Sequence, residues 1–195
     1  MKIGLFFGSF NPIHNGHLII ANHILNETDL NKIWFIISPL NPFKESNSLL
    51  NSYDRLYLVN KAIEQDNRMK ASDIEFNLPK PSYTATTLAY LNEKYPEHEF
   101  SIIIGSDSFQ NLGKWKNVEY LVNNYQIIIY KRPGFEVVNT LGAKIQIMDA
   151  PLLEISATYI RELVRKNKSI KYLVPESIEQ EVQHNRFFQS KKISE

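Results

Sequence analysis

Short apolar segments that alternate with amphipathic segments limit most strongly how this chain can fold. Four segments rich in Ile and Phe, each bounded by polar residues, Gly or Pro, predict buried strands at Ile3–Phe7, Ile33–Ile37, Phe100–Ile104 and Gln126–Tyr130. Weaker strand patterns lie at Ala71–Phe76 and Lys144–Met148. Alternation of strands with helices favours an α/β fold, an open parallel sheet with helices on both faces.

Apolar residues at helical spacing between these segments predict the helices. The predicted helices are His17–Asn26, Tyr53–Gln65, Tyr83–Tyr95, Ala157–Lys166 and a last one that begins near Pro175. Asn51-Ser52 offers a cap for the second helix. We find no repeat and no linker, so we expect one domain over 1–195, with a C-terminal helical part from about residue 156 and a loosely held tail at 187–195.

The composition excludes several classes of protein. A hydrophobic fraction of 43% and a charged fraction of 22% are ordinary for a globular protein, and a net charge of +1 argues against a nucleic-acid coat. The chain has no cysteine, which excludes a disulfide framework, a thiolate metal site and a cysteine nucleophile. No segment has the length of a signal-peptide core or a membrane span. We therefore expect a cytoplasmic protein without a nucleic-acid or membrane partner.

The segment after the first predicted strand combines glycines and histidines at a predicted helix start. It reads Gly8-Ser9-Phe10-Asn11-Pro12-Ile13-His14-Asn15-Gly16-His17. Free backbone N–H groups and the helix dipole favour an anion there, and the rings of His14 and His17 add donors. Because the segment offers no carboxylate as a third ligand, a polyphosphate fits it better than a metal ion does. The alternative is that both histidines only cap the helix.

This segment resembles the His/Thr-x-Gly-His signature of the nucleotidyltransferase superfamily. It has the longer form Gly-Ser-Phe-x-Pro-x-His-x-Gly-His of nicotinate-nucleotide adenylyltransferases, with Asn11 where the family often has Asp. The resemblance implies a Rossmann-like sheet of the nucleotidyltransferase type, and it implies that His14 and His17 are catalytic. It also implies ATP contacts at Gly8, Ser9, Phe10 and Gly16.

A second anion site is predicted at the start of a helix near the C-terminus. Ser156 is a candidate N-cap, and Thr158 and Arg161 lie three residues apart on the first turn. The planar guanidinium group of arginine suits phosphate, although a capped helix with a surface arginine is the alternative. The segment resembles the Ile-Ser-x-Thr-x-x-Arg motif of the same superfamily. By resemblance, Ser156, Thr158 and a catalytic Arg161 hold the β- and γ-phosphates of ATP.

The segment after the third buried strand resembles the Gly-x-Asp…Leu-x-x-Trp segment of the nicotinate enzymes. Here it is Gly105-Ser106-Asp107, followed by Leu112 and Trp115. The resemblance implies that Gly105 and Asp107 contact ATP, the Asp through ribose hydroxyls, and that Trp115 stacks on the pyridine ring of the mononucleotide. The alternatives are a helix cap for Asp107 and an ordinary core position for Trp115.

Two further segments resemble parts of the family that contact the mononucleotide. Ser82-Tyr83-Thr84 matches Ser-Tyr-Thr, whose Thr receives the nicotinate carboxylate, although the family commonly has Asp where Thr86 stands. Lys44 matches a lysine that meets phosphate, although Phe43 replaces the usual His before it. Helix capping and a solvated lysine are the alternatives. Lys131-Arg132-Pro133-Gly134 also matches a family turn, for which a turn leaving a strand is a sufficient interpretation.

The resemblance implies transfer of AMP from ATP to nicotinate mononucleotide, which gives nicotinate adenine dinucleotide and pyrophosphate. The phosphate of the mononucleotide is already an anion, so its in-line attack needs no general base, and catalysis rests on positioning and charge neutralisation. Mg²⁺ arrives with ATP and keeps its waters, so we expect no metal site built from protein ligands. The sequence leaves open whether the enzyme is a monomer or a homodimer.

Other functions stay open at this point. The same chemistry could act on nicotinamide mononucleotide, alone or in addition. Pantetheine-phosphate adenylyltransferase is disfavoured by Trp115 and by the Ser-Tyr-Thr segment. A nucleotide-binding sensor or RNA-binding module without turnover is disfavoured by the intact motif residues and by the near-neutral charge.

Overall fold

Six parallel strands form one sheet in the computed structural model, which describes residues 1–39, 49–151 and 153–189. They are β1 (Lys2–Gly8), β2 (Lys32–Ile37), β3 (Met69–Ser72), β4 (Glu99–Gly105), β5 (Gln126–Tyr130) and β6 (Ile145–Met148). The order is β3-β2-β1-β4-β5-β6, and each neighbouring pair is parallel. This order is doubly wound and reverses between β1 and β4, which confirms the predicted parallel α/β sheet.

Seven α-helices lie within the same described residues. They are α1 (Asn15–Glu27), α2 (Ser52–Ile63), α3 (Thr84–Lys94), α4 (Ser106–Gln110), α5 (Val118–Asn124), α6 (Ala157–Arg165) and α7 (Glu176–His184). The predicted cap of α2 is confirmed, because the Asn51 side chain accepts a hydrogen bond of 2.9 Å from the backbone N–H of Tyr53. The short helices α4 and α5 were not predicted.

Helices cover both faces of the sheet, as the sequence predicted. Residues of α1, α2, α6 and α7 form one buried cluster with one side of the strands, and residues of α3, α4 and α5 form the other. Successive side chains of a strand point to opposite faces, so on β1 Phe6 joins the first cluster while Ile3 and Leu5 join the second. The two clusters hold the carboxyl ends of the strands in fixed positions.

The predicted strand at Ala71–Phe76 is misplaced. The strand there is β3, which pairs with β2 from Ile33 opposite Met69 to Ile36 opposite Ser72 and ends one residue before β2 does. The hydroxyl of Ser72 then accepts a hydrogen bond from the N–H of Ile74, and a 3₁₀ turn follows over Ile74–Asn77. Pairing with the neighbouring strand, which a single segment does not reveal, set the boundary.

The C-terminal segment is packed at its start. Phe187 and Phe188, the first two residues of the tail that we expect to be loosely held, are partly buried and pack against the first cluster. The rest of that tail from residue 190 lies outside the described residues. Within the described part of the chain, no helix combines the length and apolar character needed to span a membrane.

Candidate active site

A cavity of about 400 Å³ opens where the carboxyl ends of β1, β4 and β5 meet. The strand order reverses between β1 and β4, which is where ligands bind in sheets of this type. The volume is within the range of small-molecule sites. Four of the residues proposed from sequence line this cavity together: Gly8, Thr84, Gly105 and Trp115.

The loop between β1 and α1 has a constrained backbone beside the cavity. Phe10 is buried and has φ of 44°, a left-handed conformation that non-glycine residues rarely adopt. A Cβ atom on Gly8 would lie 2.8 Å from the Phe10 ring, so only glycine leaves room for that ring. Packing therefore fixes the path of the loop that precedes the two histidines.

His14 and His17 stack on each other at the N-terminus of α1, with ring centroids 3.7 Å apart. His14 is the N-cap residue, and its backbone N–H donates to Nδ1 of His17 over 3.3 Å. The His17 ring also packs edge-on against Phe6 and Phe10. Since Phe6 lines the cavity, the histidine pair is held directly beside it.

Burial changes the protonation of His14. Its exposed fraction is 6%, and burial, with a smaller effect of the Arg132 guanidinium, lowers the pKa of His14 to about 4. The imidazole is therefore neutral near pH 7 and can donate through one ring N–H. A neutral ring of this kind can donate its N–H to a phosphate oxygen.

The second predicted motif meets the first in space. Arg161 on α6 donates from Nη1 to the carbonyl oxygen of Asn11 over 2.8 Å and from Nη2 to Oγ1 of Thr158 over 3.1 Å. Its buried Nε has no hydrogen-bond partner among the described residues, so this N–H is free for a ligand. Ser156 caps α6 through its hydroxyl, which confirms its predicted structural role. Arg161 thus joins the start of α6 to the β1–α1 loop, and the two predicted anion-binding segments lie side by side.

Gly105 and Asp107 lie at the end of β4. A Cβ atom on Gly105 would lie 2.4 Å from Oδ1 of Asp107 and 3.1 Å from the Tyr130 ring, so the site requires glycine. Gly105 itself is the N-cap of α4, so the alternative in which Asp107 is that cap is wrong. Oδ1 of Asp107 is buried and has no partner in the described part of the chain, which leaves an acceptor for a ligand hydroxyl.

Arg132 is a site residue that the sequence analysis treated only as part of a turn. Its Nη1 lies 3.3 Å from Oδ2 of Asp107, its backbone N–H donates to Oγ of Ser106, and its guanidinium lies 5.6 Å from the centroid of the Tyr130 ring. It also contributes to the low pKa of His14. The match of Lys131-Arg132-Pro133-Gly134 to a family turn was the signal that could have identified it.

The opposite wall of the cavity comes from α3 and the segment before α5. Thr84 is the first residue of α3, and the N-cap is Tyr83 without a side-chain cap, so the alternative in which Ser82 or Thr84 caps the helix is wrong. Backbone N–H groups in this first turn have no partner within the helix and can receive a carboxylate. Trp115 is half-buried, packs against the second cluster and lines the cavity.

Glu75, which lines the cavity, is a further residue that sequence reasoning missed, because it fell inside the misplaced strand. Its exposed fraction is 2%, and Oε1 accepts a hydrogen bond of 2.8 Å from Oγ1 of Thr87. Oε2 and the hydroxyl of Ser82 are buried and have no partner among the described residues. Burial raises the pKa of Glu75 above its ordinary value.

Arg55 on α2 is fully buried behind the loop, and sequence reasoning missed it too. Its guanidinium group donates to four described carbonyl oxygens, those of Leu50, Ser9, Ser38 and Pro39, at 2.7 to 3.2 Å. Burial lowers the pKa of Arg55 to about 10, so it remains charged near neutral pH. The sequence did contain a signal for this residue. Arg55 lies at helical spacing from Leu58 and Val59, so it falls on the apolar face of the predicted helix.

Lys44 lies outside the described residues, so its predicted place in the site is not described. Thr86, the other departure from the family pattern on this side, is exposed on α3. Within residues 1–39, 49–151 and 153–189, no group of three or more His, Cys, Asp or Glu side chains is placed to hold a metal ion.

Comparison with known proteins identifies the family. Residues 5–163 match the model of the cytidylyltransferase-like family. A probable nicotinate-nucleotide adenylyltransferase of Cytophaga hutchinsonii is 49% identical over 189 residues, 96% of this chain and 98% of that protein. One from Flavobacterium psychrophilum, with the same name, is 47% identical over 191 residues, 96% of this chain and 99% of that protein.

Solved structures show the same fold at lower identity. Plasmodium falciparum nicotinic acid mononucleotide adenylyltransferase complexed with NaAD has a TM-score of 0.80 and 20% identity, over 96% of this chain and 97% of that one. The same enzyme complexed with APC has a TM-score of 0.79. With the family match over most of the chain and relatives near 50% identity, the chain belongs to the nicotinate-nucleotide adenylyltransferase family within the nucleotidyltransferase fold.

Proposed function

We propose that this protein transfers AMP from ATP to nicotinate mononucleotide and releases pyrophosphate. The observation that carries the proposal is the hydrogen bond from Arg161 to the carbonyl of Asn11, which joins the two anion-binding segments beside a cavity lined by Thr84 and Trp115. An aromatic wall and free helix N–H groups suit a pyridine carboxylate, and the joined segments suit a triphosphate. The relatives' names agree with this assignment.

The roles that we propose for single residues are those that the resemblance implies. His14, His17 and Arg161 are the catalytic residues, which donate to phosphate oxygens. The other ATP contacts are Gly8, Ser9, Phe10, Gly16, Gly105, Asp107, Ser156 and Thr158. The mononucleotide contacts are Lys44, Thr84 and Trp115.

The reaction is a single in-line substitution at the α-phosphorus. A phosphate oxygen of the mononucleotide forms a bond to that phosphorus, and the bond to the bridging oxygen of pyrophosphate breaks with its electron pair. The neutral His14 and the stacked His17 donate to the phosphates, while Arg161 holds the leaving pyrophosphate through its free N–H. Positioning and neutralisation therefore supply the catalysis.

We propose that Mg²⁺ enters with ATP. When bound to the phosphates, the ion neutralises part of their charge. Such a hydrated, phosphate-bound ion fits the donor set of the described residues, which contains no cluster of three or more metal-ligating side chains. The chain's own residues orient the phosphates around it.

Pyrophosphate release tests the proposal. ATP and Mg²⁺ are supplied with nicotinate mononucleotide and, separately, with nicotinamide mononucleotide. We expect faster release with the acid. Equal rates would keep the chemistry and remove the proposed preference for the acid, and no release with either substrate would refute the proposal.

A further inference from the structure

Two polar groups without hydrogen bonds belong to residues in the wall of the cavity. Oε2 of Glu75 and Oγ of Ser82 are buried, both residues line the cavity, and neither atom makes a hydrogen bond of normal geometry among the described residues, although the Ser82 hydroxyl lies close enough to the carboxyl group to lower the pKa of Glu75. Buried polar atoms in native proteins nearly always have partners, and an exception indicates that something completes them. The cavity is the space from which a bound molecule can do so.

The hydrogen bond from Thr87 determines which carboxyl oxygen of Glu75 is available to a ligand. The Thr87 hydroxyl donates to Oε1 over 2.8 Å, so that oxygen is engaged as an acceptor. A proton on the carboxyl group then resides on Oε2, the atom without a partner. A protonated Glu75 presents an O–H donor to the cavity, and an ionised Glu75 presents an acceptor with a negative charge.

Burial favours the protonated form. It raises the pKa of Glu75, while the hydroxyls of Thr87, Ser38 and Ser82 oppose part of that rise. The other titratable side chains that line the cavity are Tyr83, Lys114, Lys116 and Tyr130. Lys116 lies over the ring of Tyr83, with Nζ 4.5 Å from the ring centroid. Glu75 is the one acidic side chain among the described residues of the cavity wall.

We propose that Glu75 is a specificity-determining residue, which donates from its free oxygen to the substituent of the pyridine ring and so favours a carboxylate over a carboxamide. The inference rests on the proposed function. A hydrogen bond to a charged acceptor is roughly twice as strong as one between neutral groups. An ionised Glu75 reverses the preference, because it repels a carboxylate and accepts from a carboxamide N–H.

The test is the ratio of kcat/KM for nicotinate mononucleotide to that for nicotinamide mononucleotide, measured against pH. Both substrates carry the same phosphate and react with the same ATP, so the shared ionisations cancel in the ratio. The wild-type ratio should fall as the pH rises and Glu75 ionises, by about ten- to hundredfold in all. Glu75→Gln keeps a donor that does not titrate, so its ratio should stay constant with pH.

Glu93→Gln is the matched control, since it removes the same charge from an exposed position on α3. We expect the Glu93→Gln profile to follow the wild type. A wild-type ratio that is independent of pH overturns the inference without any variant, and so does a Glu75→Gln profile that equals that of the wild type. If the wild type releases no pyrophosphate with either mononucleotide, the proposed function fails, and this inference fails with it.

Discussion

Replacement of Arg55 by methionine should weaken both the fold and ATP binding. The guanidinium group donates four hydrogen bonds to carbonyl oxygens of the segments after β1 and β2 and before α2. Methionine fills similar space but donates none of them. At about 1 kcal/mol for each bond, the loss in the free energy of unfolding is about 4 kcal/mol. Domains of this size have only about 5 to 15 kcal/mol in total, so the variant should fold but unfold at much lower urea.

The catalytic effect should follow from the loop that Arg55 holds. Ser9 lies in that loop, and its carbonyl accepts the shortest of the four bonds, at 2.7 Å. Without this bond the loop can shift, and a displacement of about 1 Å costs on the order of a hundredfold in rate. We expect the KM for ATP to rise and kcat to fall in Arg55→Met. Arg55→Lys should be intermediate, because an ammonium keeps the charge but lacks the planar fork.

Urea unfolding and steady-state kinetics on the same preparations test this reasoning. Arg186→Met, at an exposed position, serves as the control and should match the wild type in both assays. An Arg55→Met enzyme within about 1 kcal/mol of the wild-type unfolding free energy would refute the estimate. Unchanged kinetics in a destabilised variant would separate the structural role from the positioning role and refute only the latter.

Three further predictions concern the anion site. His17→Ala should lower kcat/KM by about 10²–10⁴, the scale for loss of a positioned donor, and an unimpaired variant contradicts the proposed mechanism. Gly105→Ala should reduce activity about tenfold or more, since its Cβ would lie 2.4 Å from Oδ1 of Asp107. Gly113→Ala is the control, and it should leave the activity unchanged because a Cβ atom at this position has no neighbour within 4 Å. The pKa of His14 is about 4 in the folded protein and 6.5 for an unperturbed imidazole, so the unfolded state binds more protons between these values. Stability should therefore fall by about 3 kcal/mol as the pH drops from about 6.5 to 4, and His14→Asn should abolish that part of the pH dependence. Urea unfolding at several pH values decides this, and an identical pH dependence in both proteins would count against the buried neutral ring.

Local sequence patterns predicted most of the fold because the buried strands have the apolar character that a central parallel strand needs. The pattern failed where a neighbour decides the outcome. β3 ends at Ser72, where its pairing with β2 ends opposite Ile36, although Ile74 and Phe76 continue the apolar pattern. The five residues of α4 and the seven of α5 are too short to show a helical period.

The site shows the same division between local and distant causes. His14, His17 and Arg161 belong to short motifs, so their sequence context identifies them. The roles of Arg55 and Glu75 depend on hydrogen bonds to residues that are distant in sequence. Arg55 donates to the carbonyl of Ser9, and Glu75 accepts from the hydroxyl of Thr87. Burial of a charged side chain and an oxygen without a partner are visible only once the chain is folded.

Two arginines, the buried Arg55 and the half-buried Arg161, fix the path of the loop after β1. Arg55 holds the carbonyl of Ser9, and Arg161 holds the carbonyl of Asn11. In a trans peptide the N–H points away from the carbonyl, so fixing the Ser9 carbonyl on one side directs the N–H of Phe10 to the other. The carbonyl oxygens of Ser9 and Asn11 are thus occupied by cations of the protein, and the N–H of Phe10 is directed away from Arg55. Because Arg161 comes from α6, this arrangement exists only when α6 has packed against the loop after β1.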